Sequence, residues 1–126
     1  LTENSKIGVL HGAMQYVVQD AEGQIEETES ISAGLDYSGV SPLHCFLKDA
    51  KRARYTSATD EEALYAYKLV SSLESISPSL EPSHAFAEAI KVAPKLSKDT
   101  ICCVNSCGHS YKDKDIIISR LGKYFG

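Results

Sequence analysis

Apolar and polar positions alternate over residues 13–19 (Ala-Met-Gln-Tyr-Val-Val-Gln), which predicts a β-strand. Asp20-Ala21-Glu22-Gly23 carries turn chemistry, and residues 24–28 are then placed to return as its hairpin partner. Residues 32–40 are mostly small and predict a loop, whose Gly34 and Gly39 permit close approach of backbone to a ligand. Ser41-Pro42 predicts the start of a short helix, serine as N-cap and proline at the first helical position. Residues 54–58 predict a short strand. Thr59-Asp60-Glu61-Glu62 then has the pattern of a capping box, and Ala63, Ala66, Tyr67, Val70 and Leu73 follow at helical spacing. Pro78 closes that region. Pro82 opens a helix with Ala85, Phe86, Ala89, Ile90 and Ala93 on one face, and Pro94 stops it. The unbroken apolar run Ile101-Cys102-Cys103-Val104 predicts a parallel strand buried on both faces. Residues 115 to about 124 predict a last amphipathic helix on Ile117, Ile118 and Leu121.

Strands alternating with helices define an α/β chain with a few parallel strands, flanking helices and an N-terminal β-hairpin. So few strands make a poor complete sheet, so residues 1–126 are expected to be a single partial domain of something larger. The chain begins at Leu1 and its one methionine is Met14, which points the same way.

Composition narrows the partners. Seventeen acidic against 13 basic residues give a net charge of −4 with no basic stripe, which argues against nucleic acid and anionic membrane. No apolar run is long enough to span a bilayer, and the first six residues are not a signal peptide, so a cytoplasmic protein is expected. The four cysteines are too unevenly spaced for a disulfide framework and are expected to be reduced and buried. Cys102, Cys103, Cys107 and His109 fit no standard zinc spacing, so no metal is expected.

Three stretches, in order, carry a resemblance to one known family. Gly23-Gln24-Ile25-Glu26 with Ser30-Ile31-Ser32-Ala33-Gly34-Leu35-Asp36-Tyr37 is similar to that family's GQI…SISAGLDYP. Ser57-Ala58-Thr59-Asp60-Glu61-Glu62-Ala63-Leu64 with Leu80-Glu81-Pro82-Ser83-His84-Ala85 resembles ATDEEAL…ALESSHA. Val104-Asn105-Ser106-Cys107-Gly108 with Lys112-Asp113-Lys114-Asp115 resembles VNLSGRGDKD. The set resembles the tryptophan synthase β family from about Gly8 to the C-terminus, which implies the C-terminal third of a fold-type II enzyme that uses pyridoxal 5′-phosphate (PLP). Such an enzyme replaces the hydroxyl of L-serine with indole, giving L-tryptophan and water.

By that resemblance Glu81 matches the carboxylate that handles protons at the serine β-carbon. Asp36 matches an aspartate that contacts the substrate side chain and takes part in closure. Gly34 and Gly108 match glycines at the cofactor, and Cys107 falls where the family has a serine bonded to the pyridine nitrogen. Read without the family, Glu81 is a carboxylate at a helix N-terminus and Asp36 a turn residue. His84 reads as structural, and His11 and His44 carry no chemical signal. The pattern also departs from the family. Cysteine donates more weakly than serine, His109-Ser110 replace Arg-Gly, Tyr111-Lys112 interrupt the motif, and Ser38, Ser75, Ser77 and Pro82 stand at altered positions. The sequence contains no His-Lys pair to supply the family's Schiff-base lysine and no Gly-rich phosphate loop. The chain alone is therefore expected to be inactive. Its expected partners are the remainder of the β chain and further copies in a homo-oligomer, with indole coming either from an α subunit or free from solution. The competing reading is a non-catalytic binding or regulatory fragment of the same family.

Overall fold

The computed structural model describes Leu1 and residues 5–122. The described residues form two compact units, one within Leu1–Ser30 and Gly34–Ser57, the other within Ile31–Ala33 and Ala58–Gly126.

The first unit is built on an antiparallel hairpin of β1 (Ser5–Leu10) and β2 (Ala13–Val18), in register from Ser5 opposite Val18 to Leu10 opposite Ala13. The connecting His11 and Gly12 both take left-handed angles, φ 51° and 76°, as a tight two-residue turn requires. The strand predicted over residues 13–19 is thus present, but its main partner precedes it. The predicted turn also forms: Asp20 Oδ1 accepts from the backbone N–H groups of Glu22 and Gln24, and Gly23 has φ 83°. The chain after it returns only as a single bridge from Gln19 to Ile25, not as a strand. Residues 38–39 lie along β2 instead, with Val18 N–H donating to the Ser38 carbonyl and Val17 bridged to Gly39.

Helix α1 (Pro42–Asp49) starts as the sequence predicts, with Ser41 as N-cap and Pro42 at the first position. It is tied to β2 through one residue. The Tyr16 N–H donates to the buried Cys45 Sγ, the Tyr16 hydroxyl donates to Asp49 Oδ1 at 2.8 Å, and Lys48 Nζ sits 4.4 Å from the ring centroid. Residues 54–58 form no strand; the Tyr55 hydroxyl is held by His44 instead, 2.9 Å from its Nδ1 and 3.1 Å from its carbonyl oxygen.

The second unit contains α2 (Asp60–Glu74), α3 (Leu80–Val92) and α4 (Lys114–Leu121) around Ile31, Leu64, Leu80 and Ile117, with Tyr67 and Leu121 packed alongside. The capping box is complete. Thr59 Oγ1 accepts from the Glu62 N–H, and Glu62 Oε2 accepts from the Thr59 N–H. Lys91, in the last turn of α3, donates to the same Glu62 oxygen at 2.7 Å.

The face of α3 that is buried differs from the predicted one. Leu80, Pro82, Ser83 and Ala87 are buried, whereas Ala85 is exposed. On α2, the helix packed against α3, Ala63 and Ala66 have no exposed surface. Small residues at a helix contact shorten the interaxial distance, so here Ser83 and Ala87 serve as core where apolarity alone would choose Phe86 and Ile90. Ser83 meets the polar cost by donating to the Ser79 carbonyl at 2.8 Å. On α2, Leu73 lies outside the core at 70% exposure.

The parallel strand expected at Ile101-Cys102-Cys103-Val104 is not formed. Those residues are irregular, and Ile101 is 87% exposed. A strand needs neighbours to take its backbone donors and acceptors, and the one sheet among the described residues is the β1–β2 hairpin. The chain remains α/β in content, without the few parallel strands the pattern suggested. Cys45 is buried as expected, but Cys102, Cys103 and Cys107 are exposed, and all four are free thiols. The last helix covers most of its predicted span with Ile117 inward and Ile118 outward; its expected end near Tyr124 lies outside the described residues. No described helix is long and apolar enough to cross a membrane.

Candidate functional site

The segment after Val104 runs beside the entry to α3, and this docking assembles the site. The Ser110 N–H donates to the Ser77 carbonyl at 3.0 Å, His109 forms a bridge with Pro78, and Ser79 Oγ donates to the Cys107 carbonyl at 3.0 Å. Gly108 is glycine for two reasons. Its φ is 76°, and a Cβ there would lie 2.9 Å from Ser79 Oγ. Cys107, Gly108 and Glu81 are therefore gathered at the start of α3, with the Cys107 side chain exposed.

Glu81 occupies the first turn of α3, where unpaired N–H groups favour a carboxylate. The N-cap Ser79 makes no side-chain capping bond, since its hydroxyl is given to Cys107. Asp113 supplies the cap from a distant part of the sequence: its Oδ2 accepts from the Leu80 N–H at 2.9 Å. The other oxygen, Oδ1, accepts from Lys112 Nζ at 2.7 Å, and the same ammonium donates to Glu81 Oε1 at 2.8 Å. Burial lowers the Lys112 pKa, but the hydrogen bonds and charges of Asp113 and Glu81 outweigh it. The net shift is upward, so the ammonium stays charged through the neutral range.

Asp36 and Gly34 belong to the first unit. Gly34 sits in a single 3₁₀ turn, Ala33–Leu35, and is exposed; its φ is not left-handed, so the turn does not require glycine there. Asp36 is exposed and accepts from Thr28 Oγ1 at 2.8 Å, while the next residue, Tyr37, stacks on His11 with ring centroids 6.0 Å apart. Among the described residues no group of three or more His, Cys, Asp or Glu side chains converges as a metal site would.

Sequence reasoning passed over three participants. Ser79 and Lys112 carry no local signal for their contacts. Asp113 offered one, an acid immediately before a helix, but its partner lies 33 residues away.

No protein-family model matches the chain. Curated relatives at about half identity, along nearly its entire length, define it as homologous to one segment of a larger protein. That protein is the tryptophan synthase β chain. The example from Bordetella petrii is 52% identical over 120 residues, which are 95% of this chain and 30% of the relative. The one from Cereibacter sphaeroides is 54% identical over 115 residues, covering 91% and 28%, and that from Rhodopseudomonas palustris 53% identical over 120. The chain thus spans about 30% of the length of the curated relatives it matches.

Proposed function

We propose that this chain is the C-terminal part of a fold-type II, PLP-dependent tryptophan synthase β chain, a cytoplasmic enzyme that joins L-serine and indole into L-tryptophan and water. The observation that carries this reading is the docking of residues 107–113 against residues 77–81. It gathers the two family-like stretches that bear the ring-side Cys107 and the carboxylate of Glu81.

The residues present suit the ring end of the cofactor. Cys107 offers an exposed, weak donor of the kind that suits a pyridine nitrogen left without full protonation. Gly108 turns the chain sharply beside it, at an angle other residues resist. When bound, PLP supplies an electron sink for bond breaking at the serine α-carbon. Glu81 holds or moves the proton at the β-carbon, first for the departing hydroxyl and then during indole attack. Asp36, now held by Thr28, contacts the substrate side chain, and exchanging that bond for a substrate bond is its part in closure. Gly34, exposed in its 3₁₀ turn, presents backbone to the cofactor. The lysine and the phosphate cradle come from the remainder of the β chain. An α subunit supplying indole and a homo-oligomeric assembly complete the proposal.

The test compares the full-length parent with this chain alone, each given PLP, serine and indole. The parent is expected to form tryptophan and to yield one pyridoxyl adduct per chain after borohydride reduction, read by mass spectrometry. The 126-residue chain is expected to do neither. Turnover with a stoichiometric adduct on the short chain, or none on the parent, overturns the reading.

A further inference from the structure

Ile31 lies in the core of the second unit, and Ile31–Ala33 runs on in sequence into Gly34, Leu35 and Asp36. The Ile31 N–H donates to a side chain, Asp60 Oδ1 at 3.4 Å, at the first position of α2. The same oxygen lies 3.9 Å from Nε2 of His84 on α3, whose side chain is 15% exposed. The other ring nitrogen, Nδ1, is 2.8 Å from the Leu80 carbonyl oxygen, one turn back along α3. That carbonyl can only accept, so Nδ1 carries a hydrogen and the tautomer is set. A neutral ring then turns the bare Nε2 toward a carboxylate that has no hydrogen to give. A protonated ring presents a second N–H to it, and the contact becomes an ion pair. The neighbouring charges do not oppose that proton. On α3, Glu81 and Glu88 stand three residues before His84 and four after it, on its side of the helix. On α2, Glu62 is bonded to the Thr59 N–H and to Lys91, and beyond α3 the Lys112 ammonium is held by Glu81 and Asp113.

We propose that His84 and Asp60 form a proton-operated latch that holds Ile31, and with it the root of the Gly34–Asp36 loop, at the start of α2. With the ring protonated, Asp60 Oδ1 is held from both sides, by the imidazolium of α3 and by the Ile31 N–H. As pH rises and the ring gives up its proton, the cation leaves, a lone pair faces the carboxylate, and the hold on Ile31 loosens. The stabilisation is therefore present on the acid side of the imidazole titration and lost on the basic side. Asp36 is read as the residue that closes on substrate, so the latch makes the freedom of its loop depend on pH. That consequence rests on the reading of Asp36, whereas the latch rests on the contacts of His84 and Asp60 alone.

The experiment uses the full-length, PLP-loaded parent and reads amide hydrogen exchange of the segment Ile31–Ala33 by mass spectrometry. It is run at about pH 5.5 and about pH 8.5, either side of the ordinary histidine value of about 6.5. Asp60→Asn keeps an oxygen for the Ile31 N–H and removes the charge. His84→Asn keeps a donor for the Leu80 carbonyl and removes the titrating ring; His84→Gln takes its place should it fold poorly, and melting curves establish that each variant is folded. At the acidic pH both variants are expected to exchange this segment about threefold faster than the wild type, the scale of a partly exposed ion pair. At the basic pH all three are expected to exchange it alike. Wild-type protection no greater than that of Asp60→Asn at acidic pH overturns the latch. So does an advantage of equal size at both pH values, which would leave Asp60 holding Ile31 without any part for the His84 proton. The readout needs no turnover, so neither outcome bears on the role of Asp36.

Discussion

Asp113 divides its two oxygens between a helix terminus and a cation, and at 3% exposure it does so out of water. Truncating it strands the Leu80 N–H and takes one of the two carboxylates from Lys112. Asp113→Ala is therefore expected to destabilise the protein by about 1–3 kcal/mol, the cost of leaving buried polar groups unmet. Denaturant unfolding measures it, and a loss under about 0.5 kcal/mol, as at an ordinary surface site, would contradict the capping role. Cys107 invites a different kind of substitution. If its thiol meets the pyridine nitrogen, Cys107→Ser in the parent is expected to change the cofactor's absorbance, while Ser106→Ala is not. A response from Ser106 alone would place the ring contact one residue earlier. Strand alternation does not decide between the two, because residues 101–107 form no strand. At this scale the family-like motifs pointed to Glu81, Cys107 and Gly108, since each sits in a contiguous stretch of sequence. The contact of Lys112 with Glu81 was not legible, because the two are 31 residues apart and meet only after folding.

Among the elements, α2 depends on a local signal and a distant one. Thr59 and Glu62 form the capping box, and Lys91 from α3 closes on the same carboxylate. Thr59→Ala is expected to cost about 1 kcal/mol. The hydrogen bond from Lys91, and then that from the Thr59 N–H, hold the Glu62 pKa below its ordinary value, against a smaller opposing effect of burial. A carboxylate with a lowered folded-state pKa adds stability above its unfolded value, about 4.3. That contribution is lost as pH falls from there through the folded value. Melting temperatures at pH 6 and pH 3, for wild type and Glu62→Gln, are expected to converge on acidification; a constant gap would contradict the assignment. Leu80 is the buried residue on which the core of the second unit turns, and Leu80→Ala is expected to cost about 2–5 kcal/mol. Two helix starts were readable because caps are local: Ser41-Pro42 and Thr59 to Glu62 are where the pattern placed them, whereas α3 begins at Leu80, ahead of the expected Pro82. Helix faces and the strand at 101–104 were not readable. They depend on what packs opposite, and on α3 Ser83 and Ala87 are buried where the larger Phe86 and Ile90 are not fully so.

The molecule as a whole leaves apolar side chains open in both units, among them Ile7, Val9 and Met14 on the hairpin and Ile101 and Ile118 in the second unit. Covering such surface is worth roughly 25 cal/mol per Å², and relatives more than three times as long have further chain with which to do so. The isolated chain is accordingly expected to self-associate or bind hydrophobic dye; a dye-free monomer with a cooperative melt would show it to be self-sufficient. The central claim is that Glu81 handles the proton at the serine β-carbon. Its most direct test is the rate of tryptophan formation from serine and indole by the full-length parent carrying Glu81→Ala. A fall of at least about 100-fold, the usual contribution of a positioned acid or base, with PLP still bound, is the expected result. A rate equal to the wild type's would contradict the account and leave Glu81 as a carboxylate at a helix terminus.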